Sequence, residues 1–182
     1  MIKVIALDLV GVLVRENNYK LDEVQCKIER LFGPNTSDNE YIQYIKENIL
    51  DVSSEEIIKI TKKIIYSIYD MKISLESLKK FKKDHPDIKL IVVTNHISYV
   101  KEYIQNTFTN IFDNIYVSAD MNEIKPNKQF YNKLLLDLNI SPNEMLFLDD
   151  SLKNIQGAFE CGIKTIHVTK ETNILEEILN VI

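Results

Sequence analysis

The stretch Val4-Ile5-Ala6-Leu7-Asp8-Leu9-Val10-Gly11-Val12-Leu13-Val14 decides how the rest of the chain is read. A run of apolar side chains takes in a single carboxylate, and three residues later a glycine lets the chain turn. Residues 2–8 carry no helical period, so they predict a strand buried on both faces. A lone Asp in so apolar a segment is costly unless charge or hydrogen bonds meet it. Taken by itself, Asp8 is accounted for by a turn at the strand end, with its carboxylate accepting backbone bonds.

Outward from this stretch the pattern changes. Leu21, Val24, Ile28 and Leu31 recur at helical spacing until Gly33-Pro34 stops them. A second helix is predicted over residues 39–48, with Ile42, Ile45 and Ile49 on one face. A third opens with Ser53 and Glu56, spaced as a capping box, and runs through Ile57, Ile60, Ile64 and Ile68. Residues 15–72 thus predict helices with no strand signal. Helix and strand then alternate. Leu75, Leu78 and Phe81 mark a helix ended by His85-Pro86, and residues 88–93 a strand ending at Thr94-Asn95-His96. A helix through Val100, Tyr103 and Ile104 leads to a short strand at 115–117 and a polar loop at 118–126. Phe130, Leu134, Leu135 and Leu138 predict the next helix, and 145–148 a strand that meets Asp149-Asp150. Ser151 is placed to cap a helix that Gly162 ends. Residues 163–168 form a last strand and 172–179 a closing helix. Such alternation predicts an α/β fold, a Rossmann-like parallel sheet with helices on both faces. The expected division is a core of 1–14 and 73–182, with a small all-helical cap, 15–72, inserted after the first strand.

Composition narrows the function. The 182 residues are 45% hydrophobic and 27% charged, enough to bury a core and unlike a disordered chain. A net charge of −5 gives no general attraction for nucleic acid. The lysine clusters Lys59, Lys62, Lys63 and Lys79, Lys80, Lys82, Lys83 lie opposite apolar positions and read as solvated helix faces. Cys26 and Cys161 have no metal-type spacing and read as reduced packing thiols. The N-terminus does not read as a signal peptide, and no segment approaches the ~20 apolar residues of a membrane span. A soluble cytoplasmic protein is expected.

In parallel sheets ligands bind at the carboxyl ends of the strands. Asp8 follows the first strand, Thr94-Asn95 the second and Asp149-Asp150 the fourth, while Lys125 sits in the loop before Pro126. One or two carboxylates with substrate phosphate are how Mg²⁺ is usually held, and an ammonium and a hydroxyl suit a phosphoryl group. Singly, each has a plain structural explanation: Lys-Pro as a turn, Thr94 as a helix cap, Asp149-Asp150 as a helix N-terminus.

Together, Asp8-Leu9-Val10-Gly11-Val12, Thr94-Asn95, Lys125-Pro126 and Asp149-Asp150-Ser151 with Asn154 resemble, in order and spacing, the four motifs of the haloacid dehalogenase-like (HAD) superfamily. The resemblance implies a capped Mg²⁺-dependent phosphatase. It makes Asp8 the nucleophile that becomes an aspartyl-phosphate, and has Thr94 and the Asn95 backbone bind phosphoryl oxygens. Lys125 neutralises charge. Asp8, the Val10 carbonyl and Asp150 hold Mg²⁺, and Asp149 and Asn154 lie in or behind the metal's ligand shell. The partner implied is a small phosphorylated metabolite. His96 neighbours Thr94 and is expected as an exposed histidine at a helix start.

One position departs from the pattern. Most phosphatases resembling this chain carry a second Asp two residues after the nucleophile, to protonate the leaving alcohol; here it is Val10. Such help is typically worth ~10²–10⁴ in rate. The gap resembles a branch akin to bacterial glucose-1-phosphate phosphatases, where this position is glycine. It also resembles 2-haloacid dehalogenases, which need no Mg²⁺ and for which Asp149-Asp150 is unwelcome charge. A non-catalytic phosphate-binding protein of the same fold is the third alternative. Without the acid, a phosphatase should favour acidic leaving groups such as sugar 1-phosphates, acyl or aryl phosphates. Tyr19, Tyr41, Tyr44, Tyr66 and Tyr69 are expected mostly to pack, and the loop over residues 15–19 is the nearest candidate substrate contact.

Overall fold

The structure is a computed structural model and describes residues 1–33 and 37–182. Strand β1 (Val4–Leu7) runs into a turn at Asp8, and the chain leaves through β2 (Val14–Glu16). Helices α1 (Glu23–Glu29), α2 (Asp38–Asn48) and α3 (Ser54–Ile68) follow before β3 (Tyr69–Met71) brings the chain back. The remainder is α4 (Leu75–Asp84), β4 (Lys89–Thr94), α5 (Val100–Thr107), β5 (Asn114–Val117), α6 (Ser118–Met121) and α7 (Lys128–Leu138). It continues with β6 (Met145–Asp149), α8 (Leu152–Glu160), β7 (Lys164–His167) and α9 (Ile174–Leu179). Five strands form one parallel sheet in the order β5-β4-β1-β6-β7, with Ala6 level with Ile91 on one side and Phe147 on the other.

The central strands are buried on both faces, and their period of two divides the core. Ile5, Leu7, Leu90, Val92, Leu146 and Leu148 pack on one face, with α4, α5, α9 and the inserted helices. Val4, Ala6, Ile91, Val93, Met145 and Phe147 pack on the other, against Phe130, Tyr131 and Leu134 of α7 and Ala158 of α8. The predicted α/β sheet with helices on both faces is therefore the observed one.

The inserted helices begin where their caps put them. Asp22 and Ser37 each close a capping box, and Ser53 Oγ accepts from the Glu56 amide at 3.2 Å. The predicted stop at Gly33-Pro34 falls partly outside the described residues, since Pro34 is not among them. The insertion is fastened to the core. Asp38 accepts from the Ser98 amide at 2.9 Å, Asn106 Nδ2 donates to the Tyr66 hydroxyl at 2.7 Å, and Lys62 pairs with Glu102 at 2.5 Å.

Several expectations are corrected. Residues 15–72 are not without strands: β2 and β3 pair antiparallel where the chain leaves and returns, with Arg15 opposite Asp70. Three-residue strands are too short for a period of two to be read, and their partners are far apart in sequence. The loop at 118–126 begins with the helical turn α6. Ser151 does not cap α8 with its side chain; its amide instead donates to Asp149 Oδ1 at 2.8 Å. No helix among the described residues is long and apolar enough to cross a membrane.

Helix α8 approaches the 125–126 loop closely at Gly157, where a Cβ would run into the Pro126 carbonyl oxygen. Alanine there should gain up to ~1 kcal/mol of helix propensity but lose roughly 1–3 kcal/mol to overpacking. Gly157→Ala should therefore lower the melting temperature, as thermal unfolding followed by circular dichroism would measure. An unchanged or raised value would mean that the loop yields freely.

Candidate active site

The sheet order brings the predicted residues to one rim. Asp8 continues the β1–β6 ladder, its amide donating to the Leu148 carbonyl at 2.9 Å, so its side chain emerges beside the end of β6. Between them lies the ammonium of Lys125. Lys125 Nζ donates to Asp8 Oδ1 at 2.9 Å, Asp149 Oδ2 at 2.7 Å and the Val93 carbonyl at 2.9 Å. These three acceptors belong to the ends of the adjacent strands β1, β6 and β4. They use all three N–H bonds that an ammonium owns. Lys125 is only 3% exposed. Burial disfavours its charge, yet the carboxylates of Asp8 and Asp149 more than offset this and hold its pKa above the ordinary lysine value.

The Lys125 backbone is held as firmly as its tip. Asn95 Nδ2 donates to the Lys125 carbonyl at 2.9 Å, and the Lys125 amide donates to Asn95 Oδ1 at 3.0 Å. This two-point clamp is a task of the Asn95 side chain that the linear pattern did not suggest. Neighbouring Thr94 is 2% exposed.

The two consecutive aspartates are unlike each other. Asp149 is fully enclosed: Lys125 and Asn154 Nδ2, the latter at 3.0 Å, donate to Oδ2, while Asn154 at 3.0 Å and the Ser151 amide donate to Oδ1. Asp150 is exposed and, among the described residues, receives no side-chain donor; burial of part of it and the charge of Asp149 raise its pKa. Asp149 therefore orients Lys125, and Asp150 keeps its oxygens free. Asp150 lies against the loop after β1, since a Cβ on Gly11 (φ +87°) would strike its carboxylate.

Oxygens of Asp8, Asp149 and Asp150 lie within 4.8 Å of one another. Three carboxylates outnumber the ammonium groups of Lys125 and Lys72, so the site carries excess negative charge. The cost shows at Asp8, 8% exposed, whose pKa is pushed up to about 6, first by burial and then by Asp149, against the pull of Lys125. Hard oxygen donors with surplus negative charge are the donor set of a divalent cation such as Mg²⁺ or Ca²⁺.

His96 overturns its expectation. It is 3% exposed, its ring packs 5.1 Å from that of Phe32, and burial pushes its pKa down to about 4. Its Nδ1 lies 3.1 Å from the Ile97 carbonyl, which can only accept, so the proton sits on Nδ1. Nε2 then accepts from the Tyr69 hydroxyl at 3.2 Å. The histidine is enclosed because the insertion covers it, which adjacent sequence does not reveal. Of the tyrosines named from sequence, Tyr41 is buried and bonded to Thr61 at 2.5 Å, while Tyr19, Tyr44 and Tyr66 are exposed. Lys72, which sequence reasoning passed over, lies at this rim: its Nζ donates to the Gly11 carbonyl at 2.5 Å.

The same fold recurs among solved structures. A predicted HAD-like family hydrolase from Porphyromonas gingivalis superposes with a TM-score of 0.74 at 21% identity, covering 99% of this chain and 97% of that one. A HAD family enzyme from Bacteroides thetaiotaomicron, solved with magnesium and inorganic phosphate, does so with 0.71 at 19% identity, over 96% and 99%. In sequence, 67 residues are 40% identical to mouse bifunctional epoxide hydrolase 2, covering 37% of this chain and 12% of that protein. A sesquiterpene phosphatase from Aspergillus oryzae is 35% identical over 60 residues, 33% of this chain and 31% of that protein. The chain thus spans a minor part of these curated relatives. The sequence model of the haloacid dehalogenase-like hydrolases matches residues 7–168. With that match running from the first strand to the end of the last, the chain belongs to the haloacid dehalogenase-like hydrolase family.

Proposed function

We propose that this hydrolase is a Mg²⁺-dependent phosphatase acting on a small-molecule phosphate monoester through an aspartyl-phosphate on Asp8. The observation that carries the proposal is the sharing of Lys125 between Asp8 and Asp149 while Asp150 keeps free oxygens at the same rim. In this reading Asp8, the Val10 carbonyl and Asp150 hold Mg²⁺, with Asp149 and Asn154 behind them. When bound, the cation would neutralise and orient the phosphoryl group. An Asp8 oxygen attacks phosphorus in line, the ester oxygen departs, and water then cleaves the acyl phosphate to return the carboxylate and inorganic phosphate. The Thr94 hydroxyl and the Asn95 backbone bind phosphoryl oxygens. The magnesium–phosphate complex of the Bacteroides enzyme, of like fold, supports this reading over metal-free dehalogenation.

Residues 1–14 and 73–182 act as the catalytic core in this proposal, and 15–72 as a cap that limits water and selects a small phosphorylated metabolite. The setting proposed is the cytosol, where the free thiols Cys26 and Cys161 stay reduced. Among the described residues, the missing acid at Val10 has no evident substitute. His96 has its one proton on the Ile97 carbonyl, Tyr69 gives its own to His96, and the N–H bonds of Lys125 are all engaged. Substrates with acidic leaving groups, such as the sugar 1-phosphates of the branch akin to glucose-1-phosphate phosphatases, suit such a site.

Three outcomes are expected. Across a panel of phosphate esters, turnover should need Mg²⁺, cease with chelator and be lost in Asp8→Asn. Halide release from 2-haloacids without metal would support the dehalogenase instead, and silence on every substrate a binding protein. Val10→Asp should raise turnover of an alkyl phosphate at least tenfold more than that of an aryl phosphate, given the ~10²–10⁴ that acid–base help supplies. Equal gains would refute the leaving-group argument. In metal-free protein, the raised pKa of Asp8 means that its carboxyl favours folding below the ordinary value of 3.8 and loses this as pH rises through about 6. Asp8→Asn should thus stabilise the metal-free protein at pH 8 by roughly 2–3 kcal/mol, and hardly at pH 4, by denaturant titration.

A further inference from the structure

We infer that Lys72 is a positioning residue that fixes the Val10 carbonyl for the metal; this rests on the reading of the rim as a Mg²⁺ centre. The Val10 oxygen belongs to the Val10–Gly11 peptide, which is planar, so it points opposite to the Gly11 N–H. That N–H donates to the Val14 carbonyl at 2.7 Å, which sets the direction of the Val10 oxygen as long as Gly11 stays put. Gly11 is the weak point. It must lack a side chain because a Cβ would strike Asp150, and it lies at φ +87°, so its own backbone restrains it least of any residue in the loop.

Lys72 supplies the restraint from outside. Its backbone amide donates to the Leu13 carbonyl at 2.9 Å, continuing the pairing of β2 with β3. From that anchor its ammonium reaches the Gly11 carbonyl at 2.5 Å and the Thr169 carbonyl, beyond β7, at 3.4 Å. Both peptide units flanking Gly11 are thereby held: the first by Val14, the second by Lys72. The insertion's return strand thus pins the loop next to the nucleophile, and the tie runs through one side chain.

A cation so near Asp150 also acts in the opposite sense, since its charge opposes binding of a second cation. The two roles predict opposite signs. If Lys72 positions the carbonyl, Lys72→Met should weaken Mg²⁺ binding to the metal-free protein by roughly 10–100-fold, the usual cost of losing a residue that orients a ligand. Isothermal titration calorimetry with Mg²⁺ alone reads this without any substrate. Lys72→Arg, which can still donate to the Gly11 carbonyl, should restore most of the affinity. Affinity in Lys72→Met that is unchanged or higher would overturn the inference while leaving the metal centre standing. Wild-type protein that binds no Mg²⁺ would overturn the centre and Lys72's role together. Should Lys72→Met not fold by circular dichroism, Lys72→Gln, neutral and too short to span to Gly11, carries the same expectation.

Discussion

A buried ammonium must find acceptors for every N–H it brings out of water, and at Lys125 this demand organises the molecule. Its partners, Val93, Asp8 and Asp149, come from the ends of β4, β1 and β6, three strands that are neighbours in the sheet order. Leaving one of its buried N–H bonds without an acceptor typically costs about 1–3 kcal/mol, and more for a charged donor. Strand register, sheet order and the loop before Pro126 must therefore all be correct together. Two packing details serve the same end: Asn95 clamps the Lys125 backbone, and Gly157 lets α8 close on Pro126.

Around that fixed charge the remaining carboxylates are graded by how many donors reach them. Asp149 is saturated by Lys125, Asn154 and the Ser151 amide, and so it orients its neighbours. Asp8 shares the ammonium through one oxygen, and Asp150 is left open at the rim. A gradient from fully bonded to free oxygens, over a few ångströms, keeps a surplus of negative charge in place without letting the fold quench it. The insertion meets this rim from the other side, with Tyr69 closing over His96 and Lys72 tied to Gly11.

The motif residues were legible because their chemistry is local. Strand ends can be read from apolar runs, and polar side chains at three such ends, with Lys125 in the loop after another strand, stand out against them. Asp8, Thr94, Lys125 and Asp149-Asp150 were found in this way, and the caps at Ser37 and Ser53 explain why the inserted helices start where they do. The pairing of β2 with β3 was not legible. Its strands are three residues long and its partners lie more than fifty positions apart, so neither periodicity nor propensity marks it.

By itself, then, the sequence determined the α/β alternation and the residue types at the strand ends. Each of these depends on neighbours along the chain. Only the tertiary structure decided the division of labour between Asp149 and Asp150, the burial of His96, the clamp at Asn95 and the reach of Lys72. Those properties depend on which donors come within about 3 Å in space, and no spacing along the chain encodes that. For the stretch around Asp8, the sequence named the carboxylate, and the fold supplied the ammonium that holds it.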